Sequence, residues 1–167
     1  MTVSAVLAIL SRWLHVTAAA VAVGGVFYAR IIVPIALRHA SPDDPGVRQL
    51  LLRARRAFKM TTHTAILFLV VSGTYNTVLN WPAYTRLGPA VGHSLWGVHL
   101  LLGLAVIGLL LWLYIGAEPR ASYMNGMALA LGLMVLSIAV ASTLKYARER
   151  AAATPAVVPN GVPVAAR

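Results

Sequence analysis

The chain has 167 residues, of which 59% are hydrophobic and only 11% are charged, and its formal net charge is +10. A soluble domain of this length has too little interior to hide so much apolar surface, so the composition indicates an integral membrane protein. The absence of cysteine excludes disulfides, thiolate metal sites and c-type haem attachment. The Lys and Arg residues fall between or beside the apolar runs, which favours lipid headgroups rather than nucleic acid as their partners.

Four apolar runs reach the roughly 20 residues that a membrane-spanning helix needs. They cover about residues 12–37, 61–81, 93–115 and 123–144. The predicted fold is therefore an all-α, four-helix transmembrane bundle with both termini on the same side, formed by residues 1–150. The remainder, residues 151–167, is rich in Ala, Val and Pro, and we predict a low-complexity, disordered tail.

The links between these runs are short. The basic segment RQLLLRARRAFK (residues 48–59) predicts a helix at the membrane surface that leads into the second span. The stretch WPAYTRLGPAVG (residues 81–92) is typical of a Pro/Gly loop, and residues 117–122 are typical of a tight turn. The density of basic residues in the link 41–59 favours its placement on the cytoplasmic side.

Two histidines lie at similar depths in the first and third predicted spans. His15 is about one turn, and His99 about two turns, from the membrane surface that both termini share. Imidazoles at matched depth on neighbouring helices can supply both axial ligands of a haem b. Arg12, Lys145 and Arg148 would lie near the same surface, where they can pair with haem propionates. Alternatively, both histidines form ordinary interhelical hydrogen bonds and the cations face headgroups.

A second group of polar and soft side chains lies near the opposite surface. Arg30 and His63 have depths at which the first two spans can bring them together, and we predict a catalytic site there for substrate, quinone or proton transfer. Thioether and imidazole ligands suit Cu(I), so Met60, His63, Met124 and Met127 form an alternative copper site. Methionines near span ends also serve as ordinary packing residues.

A resemblance to a known superfamily covers about residues 10–146. The pattern H-x8-G-G-x-F-Y-x-R-x3-P resembles the first helix of the copper-resistance D (CopD-like) membrane proteins and of the HemJ type of protoporphyrinogen oxidase; it is carried by His15, Gly24, Gly25, Phe27, Tyr28, Arg30 and Pro34. The stretch HSLWGVHLLLGLAV (residues 93–106) resembles their third helix. However, His99 stands where those relatives often carry a lysine, which weakens the transfer of the HemJ oxidase activity and makes a second imidazole available.

The two branches of this resemblance imply different functions. The HemJ-like branch implies haem b, porphyrin chemistry and a quinone acceptor, whereas the CopD-like branch implies copper transfer across the bacterial inner membrane. We therefore predict a small b-type cytochrome of the CopD/HemJ-like kind that transfers electrons through a haem b held by His15 and His99. If it is an enzyme, it is a membrane oxidoreductase that uses a quinone or a porphyrin. Two alternatives stay open: a copper-transport or copper-handling protein, and a non-catalytic accessory subunit of a larger membrane complex or homo-oligomer.

Overall fold

The computed structural model describes residues 2–41, 44–114 and 123–153. All regular elements within these ranges are helical: α1 (Val3–Phe27), a first π-helical segment (Tyr28–Ile32), α2 (Val33–Ala36), α3 (Pro45–Arg86), a second π-helical segment (Pro89–His93), α4 (Ser94–Leu113) and α5 (Tyr123–Ala153). The all-α prediction is therefore confirmed. The turn predicted at 117–122 and most of the predicted tail lie outside the described residues; of that tail, only 151–153 are described, as the end of α5.

Three helical stretches in the described part of the chain are long and apolar enough to cross a membrane. They are Val3–Ala36, Pro89–Leu113 and Tyr123–Ala153, and they contain most of the first, third and fourth predicted spans. The second predicted span lies within α3, which is not among these stretches. The first half of α3 carries the basic segment and His63, and its second half includes the polar residues Asn76 and Asn80.

Large apolar side chains cover the outside of the bundle. Val3, Trp13, Val78 and Leu101 are each between 68% and 77% exposed. Exposed apolar surface of this extent is typical of a protein surface that meets a membrane or a partner. Together with the three long apolar stretches, it fits a lipid bilayer environment.

The helices pack as two pairs. Helix α1 packs along α3, and α4 packs along α5, while contacts between α1 and α5 and between α3 and α4 join the pairs. The Ser11 hydroxyl donates to the Ser72 carbonyl at 3.3 Å, and the Arg148 guanidinium donates to the Asn80 side chain at 2.7 Å. The beginning of α1 and the end of α5 therefore both contact the second half of α3.

The boundaries of α3 correct one prediction. Asp44 caps the helix by accepting a hydrogen bond from the Gly46 backbone at 2.7 Å, and Pro45 takes the first helical position. The helix then continues through the basic segment, and Pro82 lies inside it. The loop predicted at residues 81–92 is wrong, because only Leu87 and Gly88 separate α3 from the second π-helical segment. Gly88 makes this turn with a φ of 78°, which suits a residue without a Cβ.

The bundle has two unlike halves, which we call the packed half and the histidine half. The packed half comprises residues 18–26 of α1, 58–66 of α3, 106–114 at the end of α4, and 123–134 of α5. Its interior is filled by Val26, Leu110, Leu113, Tyr114 and Met127, all fully buried. A Cβ on Gly25 would overlap the Phe58 ring, so α1 and α3 approach closely here. The histidine half comprises residues 11–15, 72–84, 93–99 and 137–148.

Candidate functional site

His15, on α1, lies against the buried Ser72 of α3. Its Nδ1 lies 3.0 Å from the Ser72 hydroxyl oxygen. That hydroxyl donates its single proton to the Phe68 carbonyl of its own helix, so it can only accept from the imidazole. His15 Nδ1 therefore carries a hydrogen and donates it to Ser72. In the neutral ring, the free lone pair is then on Nε2.

His99 has the same arrangement on the other helix pair. Its Nδ1 lies 3.1 Å from the backbone carbonyl of Ser137 on α5 and 3.0 Å from the hydroxyl of the same residue. A carbonyl oxygen can only accept, so His99 Nδ1 also carries a hydrogen. The free lone pair of His99 in its neutral form is again on Nε2. Sequence analysis predicted two histidines at matched depth, and the structure adds a serine partner for each one.

The two histidines lie within electrostatic range of each other, although they belong to different helix pairs. Both rings are half-buried. The His15 ring also lies close to Gly73, since a Cβ on that glycine would stand 3.3 Å from the imidazole Cε1. Each ring has a hydrogen-bonded Nδ1 atom, and both rings lie in the histidine half.

The three cations predicted to pair with propionates have different surroundings. Arg12 is exposed on α1. Lys145 pairs with Glu149 at 3.7 Å on the surface of α5, with side chains 65% and 64% exposed. Arg148 is half-buried and joins α5 to α3, because it bonds Asn80 and its guanidinium lies 5.6 Å from the centre of the Tyr84 ring. Their pairing with propionates stays a prediction.

Arg30 and His63 lie against different neighbours. Arg30 is in the first π-helical segment and lines a groove beside α5. His63 Nδ1 donates to the Lys59 carbonyl at 2.6 Å, and its ring centre lies 6.4 Å from that of Tyr114. Within the described residues, no hydrogen bond joins the Arg30 Nε to any group. Their shared catalytic role stays a prediction.

The residues of the alternative copper site stand in unlike environments. Met60 is 68% exposed, whereas Met127 is fully buried in the packed half. Met124 is half-buried at the start of α5, and His63 is exposed. Among the described residues, no group of three or more His, Asp or Glu side chains is placed to hold a metal ion. The copper site also stays a prediction.

Each π-helical segment carries an ionisable side chain with a buried nitrogen that has no hydrogen-bond partner among the residues that the structure describes. These nitrogens are Nε of Arg30 in the first segment and Nε2 of His93 in the second. The His93 ring also stacks on Trp81, with 5.3 Å between ring centres. Short π-helical insertions are frequent at functional sites, so both positions merit functional tests.

Sequence analysis missed three residues that shape these sites. Ser72 and Ser137 could have been found as polar residues inside apolar spans, at the depths of His15 and His99. Tyr114 gave no such signal, because a tyrosine at the end of a span is ordinary in a membrane helix. In the structure it is buried among aromatic rings, with centres 5.9 Å from Phe58 and 6.2 Å from Tyr123.

Comparisons of the chain with protein-family models, with curated proteins and with solved structures found no match. The CopD-like and HemJ-like resemblance therefore stays a prediction from the motif residues.

Proposed function

We propose that this protein is a small integral-membrane b-type cytochrome in which Nε2 of His15 and Nε2 of His99 would hold the iron of a haem b. The observation that carries the proposal is the shared hydrogen-bond pattern of the two rings. Each Nδ1 donates within the protein, to Ser72 or to the Ser137 carbonyl, which leaves Nε2 as the ligating atom. Metal-ligating histidines characteristically donate their other ring N–H to such an acceptor.

The residues present fit a haem in their donor chemistry. The two imidazoles, each with its Nδ1 hydrogen-bonded within the protein, offer the nitrogen ligands that haem iron accepts. Haem b, when bound, supplies one-electron redox chemistry. The Ser72 hydroxyl and the Ser137 carbonyl orient the two rings and raise their basicity as ligands. The absence of a side chain on Gly73 lets the His15 ring lie close to the α3 backbone.

The membrane arrangement that goes with this function has four spans. We assign the remaining span to the second half of α3, because α1 packs along it and the end of α5 bonds it through Arg148. Both termini then lie on one side of the membrane, and the link 41–59 lies on the other. Its basic residues support a cytoplasmic position at a bacterial inner membrane.

The test is a reduced-minus-oxidised visible spectrum of the detergent-purified protein, with iron and copper measured on the same sample. We expect the α-band of a six-coordinate haem b and close to one iron per chain. His15→Ala and His99→Ala should each abolish the six-coordinate spectrum. His39→Ala is the matched control, because His39 is an exposed histidine beyond α2 and should leave the spectrum unchanged.

A colourless wild-type protein would contradict the proposal. Stoichiometric copper in that colourless sample, reduced by Met60→Ala, would favour copper handling. A protein without metal that co-purifies with other membrane subunits in mild detergent would favour the accessory-subunit alternative. A haem that survives both His15→Ala and His99→Ala would show that other residues hold it.

A further inference from the structure

A groove of about 510 Å³ runs between the first π-helical segment and α5 in the packed half. It is separate from the His15 and His99 pair, and all its lining residues except one are apolar: Arg30, Ile31, Ala128, Leu131, Gly132 and Val135. Ala128 and Gly132 are exposed one helical turn apart on α5, and a Cβ on Gly132 would meet nothing within 4 Å. The groove is therefore open to the surface of the bundle that faces acyl chains.

Arg30 brings a positive charge to this otherwise apolar groove. Its side chain is half-buried, and within the described part of the chain its buried Nε has no hydrogen-bond partner. The whole chain has only four acidic residues against fourteen Lys and Arg. Of the two acidic side chains that the structure describes, Asp44 caps α3 and Glu149 pairs with Lys145. Neither of these two described carboxylates pairs with Arg30, and its guanidinium favours an anion in the groove.

The position of Arg30 suits an anion at the level of the lipid headgroups. Arg30 lies six residues, or about 9 Å, before the end of the first apolar stretch at Ala36. An arginine side chain can extend toward the membrane surface and so shorten this distance. The α5 side of the groove, from Ala128 to Val135, covers about 10 Å of helix and leads inward from the start of α5 at Tyr123. A lipid whose charged headgroup lies at Arg30 would thus place its acyl chain in an apolar channel directed toward the bilayer centre.

We propose that this groove is a binding site for one anionic phospholipid, with its phosphate at the Arg30 guanidinium and an acyl chain along Ala128, Gly132 and Val135. The guanidinium forms paired, charge-assisted hydrogen bonds to phosphate. A zwitterionic lipid carries the same phosphate together with a quaternary ammonium whose positive charge repels the guanidinium, and an uncharged lipid carries no phosphate. The small side chains of Ala128 and Gly132 form the floor on which the acyl chain lies.

The test is native mass spectrometry of the full-length protein from micelles that contain equal amounts of phosphatidylglycerol and phosphatidylcholine. We expect wild type to retain about one phosphatidylglycerol per chain in preference to phosphatidylcholine. Arg30→Gln should reduce this preference about tenfold, whereas Arg30→Lys should keep most of it. Gly132→Leu fills the groove and should reduce the retention of both lipids.

Gly108→Leu is the control, because Gly108 is also an exposed helical glycine with open space around it and does not line the groove. It should retain phosphatidylglycerol as wild type does. The proposal would be overturned if the wild-type protein retained both lipids equally. It would also be overturned if Arg30→Gln and Gly132→Leu both retained phosphatidylglycerol as well as the wild-type protein does. Full displacement of the lipid by oleate would assign the site to a fatty acid instead. A dimer that Gly132→Leu abolishes, without any lipid preference, would assign the groove to a second copy of the chain.

Discussion

The packed half and the histidine half are built from the same four long helices but have different interiors. In the packed half, aliphatic and aromatic side chains such as Leu110 and Tyr114 fill the space between the helices. In the histidine half, His15 and His99 are only half-buried, and the helices meet through hydrogen bonds of serine, asparagine and arginine side chains.

This difference suggests a division of roles along the bundle. In the packed half, side chains of the chain itself fill the interior, so this apolar packing needs no group from outside the chain. In the second region, the imidazoles have lone pairs on Nε2 that the described hydrogen bonds leave free. We infer that the packed half determines the fold and that the histidine half supplies the ligands. Substitutions should therefore separate stability from cofactor binding along the length of the same helices.

Leu110→Ala should have the largest effect on stability. Leu110 is 1% exposed in the packed half, so removing its side chain leaves a cavity that the surrounding helices cannot fully close. We expect a loss of about 3 kcal/mol in the free energy of unfolding. The measurement is unfolding from dodecylmaltoside into SDS, followed by tryptophan fluorescence. Leu111→Ala is the control, because Leu111 is 39% exposed and its loss should be much smaller. Equal losses would mean that the packed half is not the stabilising core.

Gly25→Val tests the close approach of α1 and α3 in the same half. A Cβ at this position overlaps the Phe58 ring, so the ring or the helix has to move. Overpacking of this kind costs about 1–3 kcal/mol, and the same SDS titration measures it. Gly24→Val is the matched control, since a Cβ on Gly24 meets nothing within 4 Å. The double variant Gly25→Val/Phe58→Leu should recover part of the loss; no recovery would place the strain elsewhere.

Ser72→Ala tests the histidine half through the cofactor rather than through the fold. It removes the oxygen that accepts from His15 Nδ1, and we expect haem affinity to fall about 10–100-fold while the SDS titration changes little. Ser137→Ala should have a weaker effect, because the Ser137 carbonyl still accepts from His99. Haem titration into the apoprotein measures the haem affinity of both variants.

The control is Ser142→Ala, because the Ser142 hydroxyl donates to the Ile138 carbonyl of its own helix. Haem affinity unchanged in Ser72→Ala would contradict the role assigned to that serine.

Composition and apolar run length predicted much of the fold. Three of the four predicted spans lie in apolar helical stretches, because about 20 apolar residues need a helix that satisfies its own backbone in lipid. The loop predicted at 81–92 failed because Pro82 is accommodated inside α3 and the chain turns in two residues at Gly88. Local Pro and Gly signals mark a change of backbone conformation, and they do not reveal how few residues that change needs.

The candidate site was predictable in depth but not in detail. The depths of His15 and His99 follow from counting residues along each span, and the structure places the two rings within electrostatic range. Which serine meets each ring depends on how the helices rotate about their axes, and one sequence does not encode this rotation in any simple pattern. The same rotation decides the neighbours of Arg30, which lines a groove beside α5, while its predicted meeting with His63 stays a prediction.

The substitutions Arg148→Gln and Lys145→Gln are expected to have the smallest effects on stability. Together they compare two cations of the histidine half. Arg148→Gln removes a 2.7 Å hydrogen bond to Asn80 and the contact with the Tyr84 ring, so we expect a loss of about 1 kcal/mol in the SDS titration. Lys145→Gln removes an exposed pair with Glu149 that contributes about 0–0.5 kcal/mol. The order follows from burial, since Arg148 joins two helices whereas Lys145 pairs within one helix in solvent. If Lys145→Gln were the more damaging substitution, its ammonium would have a partner beyond Glu149. A haem propionate would then be the first group to test, by repeating the titration with and without haem.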